Sequence, residues 1–137
     1  MYRNRRLKRF IHRLRDNGVS DALKNVCNYA MWELKIKLAC DINKSLPATT
    51  KIGHPVGIVI GGDVIIGENV QINQNVTLGE RGNGHKKGKP TIEDNVIIYS
   101  GAVILGDITV GKNAIIGANS VILADVDPNN TVVGVHK

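Results

Sequence analysis

From residue 54 to the C-terminus, large aliphatic side chains return every six residues. Stepping from Ile60 gives Ile66, Ile72 and Leu78; the register resumes at Ile92 and runs through Ile98, Ile104, Val110, Ile116 and Ile122. Three residues after nine of these stand Asp63, Asn69, Asn75, Asn95, Gly101, Asp107, Asn113, Asn119 and Asp125. Asn, Asp and Gly tolerate a left-handed backbone, so a tight corner is predicted at each. The next position is again small or branched, from Val64, Val70 and Val76 to Ala114, Ser120 and Val126. One inward aliphatic, one corner and one small inward residue every six describe a short strand and a turn, repeated. Stacked, such units form a parallel solenoid with an Ile/Val ladder inside, its rungs about 4.8 Å apart.

The first third of the chain follows a helical period instead. In residues 2–15, Leu7, Phe10, Ile11 and Leu14 fall at i, i+3, i+4 and i+7. Asp16-Asn17-Gly18 breaks that helix. A second is predicted over 21–38, capped by Ser20 or Asp21, with Leu23, Val26, Ala30, Leu34 and Leu38 among its apolar residues. The chain thus divides into a helical segment, 1–41, and a mainly β solenoid, 42–137. One interruption breaks the solenoid, the loop 79–91, whose insert Glu80-Arg81-Gly82-Asn83-Gly84-His85-Lys86-Lys87-Gly88-Lys89-Pro90 is glycine-rich and basic. Register returns in phase at Ile92, so the loop projects from one corner and leaves the ladder intact.

Composition agrees. Aromatic residues make up only 4% of the 137 residues, and Tyr99 is the single one after Trp32, so the core of the solenoid must be aliphatic. The net charge of +6 resides in residues 1–16, where seven Lys and Arg face one Asp. The remainder is balanced, which argues against a nucleic-acid partner. The basic segment is expected either to pack on the base of the solenoid or to contact an anionic membrane surface. Cys27 and Cys40 have no metal-like spacing, no apolar run suits a signal peptide, and none approaches a transmembrane length of roughly 20 residues. A reduced, cytoplasmic setting is expected, with the inner face of the membrane as its one peripheral contact.

Six residues before Ile60 the ladder position is His54, in the hexad His54-Pro55-Val56-Gly57-Ile58-Val59. An imidazole there is either a satisfied core histidine or, at the accessible edge of the first coil, a general base that titrates near neutrality.

The segments Gly53-His54-Pro55-Val56-Gly57-Ile58-Val59-Ile60 and Asn75-Val76-Thr77-Leu78-Gly79, with the closing Thr131-Val132-Val133-Gly134-Val135, resemble the serine acetyltransferase group of hexapeptide-repeat acyltransferases. The match is strongest with its short capsular and O-antigen acetyltransferase relatives. The resemblance implies a left-handed parallel β-helix of three hexads per coil, and a homotrimer with active sites between subunits. It implies acetyl-CoA as co-substrate, no metal, and His54 as catalytic base. It places coenzyme A along the coils, near Thr77, Gly79, Gly101, Ala102, Gly117, Ala118, Ser120 and Lys137, although solenoid corners need small residues in any case. Arg81, Lys86, Lys87 and Lys89 would meet coenzyme A phosphates or an anionic acceptor, or simply stand in solvent.

The chain also departs from that group. Gly53 stands where serine acetyltransferases carry Asp, and Gly88-Lys89-Pro90 where they carry Arg-His-Pro. The stretch ahead of His54 reads six residues short of the family spacing. That puts Ser45 at the position of the residue that orients the histidine, with Asp41 the nearest carboxylate and His85 a substitute for the loop histidine. These differences touch acceptor recognition, so the expected acceptor is a saccharide hydroxyl in surface polysaccharide synthesis. The alternatives are a divergent serine O-acetyltransferase or a non-catalytic scaffold. A zinc lyase on this fold needs three converging histidines, a set that His54 and His85 do not supply.

Overall fold

The computed structural model describes residues 19–43, 46–82 and 88–137. Their backbone forms one helix, α1 (Val19–Ala39), followed by fourteen short strands wound into a prism of three parallel sheets. Face 1 stacks β1 (Asp41–Ile42), β3 (Val59–Ile60), β6 (Thr77–Gly79), β9 (Val103–Leu105), β12 (Val121–Ile122) and β14 (Val135–His136). Face 2 stacks β4 (Ile65–Ile66), β7 (Thr91–Ile92) and β10 (Thr109–Val110). Face 3 stacks β2 (Lys51–Ile52), β5 (Gln71–Ile72), β8 (Ile97–Ile98), β11 (Ile115–Ile116) and β13 (Thr131–Val132). The predicted ladder is the core: all ten residues from Ile60 to Ile122 point inward, and Ile66, at 7% exposure, is the least buried. The loop leaves after Gly79 and returns at Thr91, between faces 1 and 2, and Ile66 still pairs with Ile92 and Leu78 with Ile104.

Two of the three corners are left-handed. Asn69, Asn95, Asn113 and Asn129, between faces 2 and 3, have φ of 54–62° with their neighbours in this class, as do Asn75 and Asn119 between faces 3 and 1, where Gly57 and Gly101 share the stack at φ 64° and 71°. On the first of these corners the carboxamides form a ladder: Asn69 donates to Asn95 at 3.3 Å, Asn95 to Asn113 at 3.1 Å and Asn113 to Asn129 at 2.9 Å. Asp63, Asp107 and Asp125, at the third corner, are not left-handed as predicted. Asp serves there as an acceptor instead: Asp125 caps the Thr109 N–H at 2.7 Å and Asp63 pairs with Lys89 at 2.9 Å.

Helix α1 begins two residues earlier than predicted, which puts Ser20 and Asp21 inside its first turn. Its packed side also differs. Tyr29, Trp32 and Ile36 are half-buried, with Trp32 against the aliphatic core, while Val26, Leu34 and Leu38 of the predicted apolar set are exposed. The helix carries two apolar stripes, and the one bearing the large aromatic rings takes the solenoid. The helix predicted over 2–15, and with it the membrane-contact segment 1–16, lies outside the described residues. Among those described, no helix is long and apolar enough to cross a membrane.

Candidate active site

His54 does not occupy the ladder. That place belongs to Ile52, 8% exposed, which pairs with Ile72 on face 3. From Ile52 to Ile60 is eight residues, so the corner between faces 3 and 1 carries two more than in the next three coils, where Ile72–Leu78, Ile98–Ile104 and Ile116–Ile122 are six-residue steps. The excess forms a bulge: Pro55 turns inward and is buried, while Gly53, His54 and Val56 are exposed. An imidazole does cap the ladder, but at the opposite end, where His136 stacks on Ile122 and its Nε2 lies 2.8 Å from the Asp125 carbonyl.

The bulge is pinned by backbone hydrogen bonds. Gly53 N–H donates to the Ile72 carbonyl at 3.2 Å, Val56 N–H to the His54 carbonyl at 2.9 Å, and Asn75 N–H to the Val56 carbonyl at 2.9 Å. Gly57 N–H donates to the Ala39 carbonyl at 2.7 Å, which ties the end of α1 to the same corner. Gly57 is required here: at φ 64° a Cβ would be strained, and it would meet Asn75 Oδ1 at 2.3 Å. The result is an exposed imidazole on a corner whose backbone is tethered on both sides.

Asp41 begins β1, exposed, beside this corner, its N–H donating to the Ile58 carbonyl at 2.8 Å. Among the described residues no hydrogen bond or ion pair joins its carboxylate to His54. Asp41 pairs with Val59, eighteen residues on, so the turn from β1 to β3 has the length of a full coil. What it lacks is a strand on face 2, where β4 pairs with β7 alone. Ser45, His85, Lys86 and Lys87 lie outside the described residues.

Gly101, Gly117 and Ala118 lie on the same corner stack as His54, and Thr77 and Gly79 on the adjoining face 1. Gly101 is two coils above the bulge, roughly 10 Å at strand spacing. Its lack of a side chain is already required by the stack, since a Cβ at φ 71° would meet Asn119 Oδ1 at 2.1 Å. Gly117 is similar, with Val133 Cγ1 2.7 Å from its Cβ position. Ala102 and Ser120 are fully buried, and the Ser120 hydroxyl accepts from Gly134 N–H at 3.1 Å, so neither side chain is presented to a ligand. Ala118 and Lys137 are exposed. At the loop exit, Lys89 binds Asp63, and Arg81 lies beside Gly106. Two participants in the corner, Pro55 and Asn73, escaped the sequence reading. The eight-residue step from Ile52 to Ile60 was the signal for the first.

Comparison with known proteins bears out the resemblance to the hexapeptide-repeat serine acetyltransferases, and not the nearer likeness to capsular and O-antigen acetyltransferases. Residues 89–124 match the family model "Bacterial transferase hexapeptide (six repeats)". The serine acetyltransferase of Bacillus licheniformis is 55% identical over 86 residues, which is 61% of this chain and 39% of that one. The chain therefore spans about two fifths of the length of the curated relatives it matches. Among solved structures, Neisseria gonorrhoeae serine acetyltransferase in complex with serine superimposes with a TM-score of 0.57 at 40% identity, covering 70% of this chain and 37% of its own. The Brucella abortus enzyme in complex with coenzyme A gives 0.59 at 36% identity, with the same coverage. In fold this protein is a left-handed parallel β-helix of the hexapeptide-repeat acyltransferase type, similar to the serine acetyltransferases.

Proposed function

We propose that this protein is an acetyl-CoA-dependent O-acetyltransferase of the serine acetyltransferase type, with His54 as general base and L-serine as its acceptor. The observation that carries the reading is the coincidence of the matching motif with the exposed, tethered imidazole at position 54. Similarity to the serine acetyltransferases, including one solved with serine and one with coenzyme A, supports acceptor and co-substrate. In the reaction, His54 removes the proton of the acceptor hydroxyl as its oxygen attacks the thioester carbonyl. The tetrahedral intermediate then collapses, and the imidazolium returns the proton to the departing thiolate. Backbone N–H groups at the site would hold the developing oxyanion.

The active assembly in this proposal is a homotrimer with the site between subunits. The outward side of face 1 favours it, since Val59, Val103, Val121 and Val135 stand there in one column, and Val135 is 66% exposed. A saccharide acceptor is the second reading. It is favoured by Gly53, and by Lys89 held to Asp63 at the loop exit, where serine acetyltransferases carry residues that recognise serine. Coenzyme A release from acetyl-CoA, measured with L-serine and with a panel of monosaccharides, separates the two. Turnover on serine supports the main reading; turnover confined to sugars replaces it with the second.

A further inference from the structure

Gly53, the residue ahead of His54, lies against the side chain of Asn73 in the next coil. A Cβ on Gly53 would stand 2.8 Å from Asn73 Oδ1 and 3.8 Å from its Cγ. Both backbones are fixed at this level, Gly53 N–H donating to the Ile72 carbonyl and Asn73 N–H to the Ile98 carbonyl at 3.1 Å. The other corner asparagines have evident reasons for their identity. Asn69, Asn95 and Asn113 are left-handed and form rungs of a carboxamide ladder, and Asn75 and Asn119 are left-handed. Asn73 has neither feature: its backbone is ordinary, and among the described residues its carboxamide makes no hydrogen bond. The corresponding positions in the coils above are Tyr99 and Gly117, so the turn itself does not demand an amide. What distinguishes position 73 is that it stands directly over the bulge.

We propose that Asn73 is a positioning residue for His54: its half-buried carboxamide fills the space beside Gly53 and so fixes the direction in which the imidazole leaves the corner. The Asn73 carboxamide oxygen stands in the space that a side chain at position 53 would enter. The inference rests on the reading of His54 as the base.

The test is a double-mutant cycle in the full chain, with Asn73→Ala, Gly53→Ala and Gly53→Ala/Asn73→Ala. Asn73→Asp serves as the isosteric control and His54→Ala as the reference. The kcat and the KM for acetyl-CoA are measured with L-serine, or with water as acceptor if serine is not acetylated. Asn73→Ala is expected to lower kcat roughly 10- to 100-fold, the scale of a small misplacement of a reacting group, with KM for acetyl-CoA unchanged. Gly53→Ala should fall similarly, because its Cβ displaces Asn73. The double variant should be no worse than Asn73→Ala alone, and Asn73→Asp, which keeps the shape, should stay close to the parent. Wild-type kcat in Asn73→Ala, or multiplying losses in the double variant, overturns the positioning role while an inactive His54→Ala leaves the base in place. Full activity in His54→Ala overturns the functional reading, and this inference with it.

Discussion

Between Ile97 and Ile115 the chain takes eighteen residues to return to face 3; between Lys51 and Gln71 it takes twenty. The upper coil gives its residues to the stack: Ile98, Ile104 and Val110 are fully buried, two of its three corners are left-handed, and the Asn113 carboxamide is bonded to that of Asn95 one coil below. The turn from Lys51 to Gln71 places two extra residues at the corner between faces 3 and 1, where His54 emerges, and the chain from β1 to β2 passes face 2 without a strand. The regular coils hold the fold, and the irregular one exposes the His54 imidazole on a rigid mount. A catalytic side chain on such a mount keeps its geometry without ordering cost at the moment of reaction.

That division can be broken most severely by removing the two extra residues of the His54 corner. Deleting Pro55 and Val56 leaves Ile52-Gly53-His54-Gly57-Ile58-Val59-Ile60, a six-residue step with His54 in the place Gln74 holds one coil above. The protein should stay folded by circular dichroism and lose acetyl transfer by roughly 100-fold or more. A ladder truncation sharpens the contrast in stability. Ile116 is fully buried between Ile98 and Val132, whereas Ile52 is 8% exposed and paired on one side only. Chemical denaturation should therefore show Ile116→Ala near the upper end, and Ile52→Ala near the lower end, of the roughly 2–5 kcal/mol such truncations cost.

Corner substitutions should separate the regions again, at smaller cost. Asn113→Ala strains a left-handed residue and cuts the carboxamide ladder, for about 1–2 kcal/mol, with kcat unchanged. Gly57→Ala strains a comparable residue but shifts the His54 corner, so its kcat should fall. The smallest effect concerns Asp94, which accepts the Glu68 N–H at 2.9 Å and lies 3.5 Å from Lys112 Nζ. The Glu68 N–H, and secondarily Lys112, hold its carboxyl below the usual 3.8. A depressed folded-state value stabilises the fold above pH 3.8, and that contribution is lost as pH falls through the lower value. Asp94→Asn should accordingly lower Tm slightly at neutral pH, the difference closing in strong acid.

Much of this was legible in the residues. The ladder, its inward direction and the loop position follow from a strict period that only a stacked coil satisfies. The Asn and Gly corners were legible because few residues accept a positive φ; the Asp corners were misread because Asp also suits a corner as an acceptor. His54 was found by its motif, yet its place was miscounted for a definite reason. The segment from Ile42 to Ile52 is two residues short of two hexads and that from Ile52 to Ile60 two residues over one, so Ile42 still pairs with Ile60 eighteen residues later. The two deviations cancel, and counting by six passes over both. The packed side of α1 was misread because Trp32 and the Val26-Leu34-Leu38 stripe are both apolar, and periodicity does not choose between two such faces. Asn73 left no trace in the pattern, since its significance arises from a neighbour twenty residues away.

The central claim, that the bulge of the first coil exists to present His54 as a base, is tested most directly by His54→Ala. Coenzyme A release from acetyl-CoA and the thermal transition are measured together on this variant and its parent. An exposed side chain that contributes nothing to the core should leave Tm unchanged, while turnover falls by at least roughly 100-fold, as expected for loss of a general base. Wild-type turnover in the substituted protein would contradict the account.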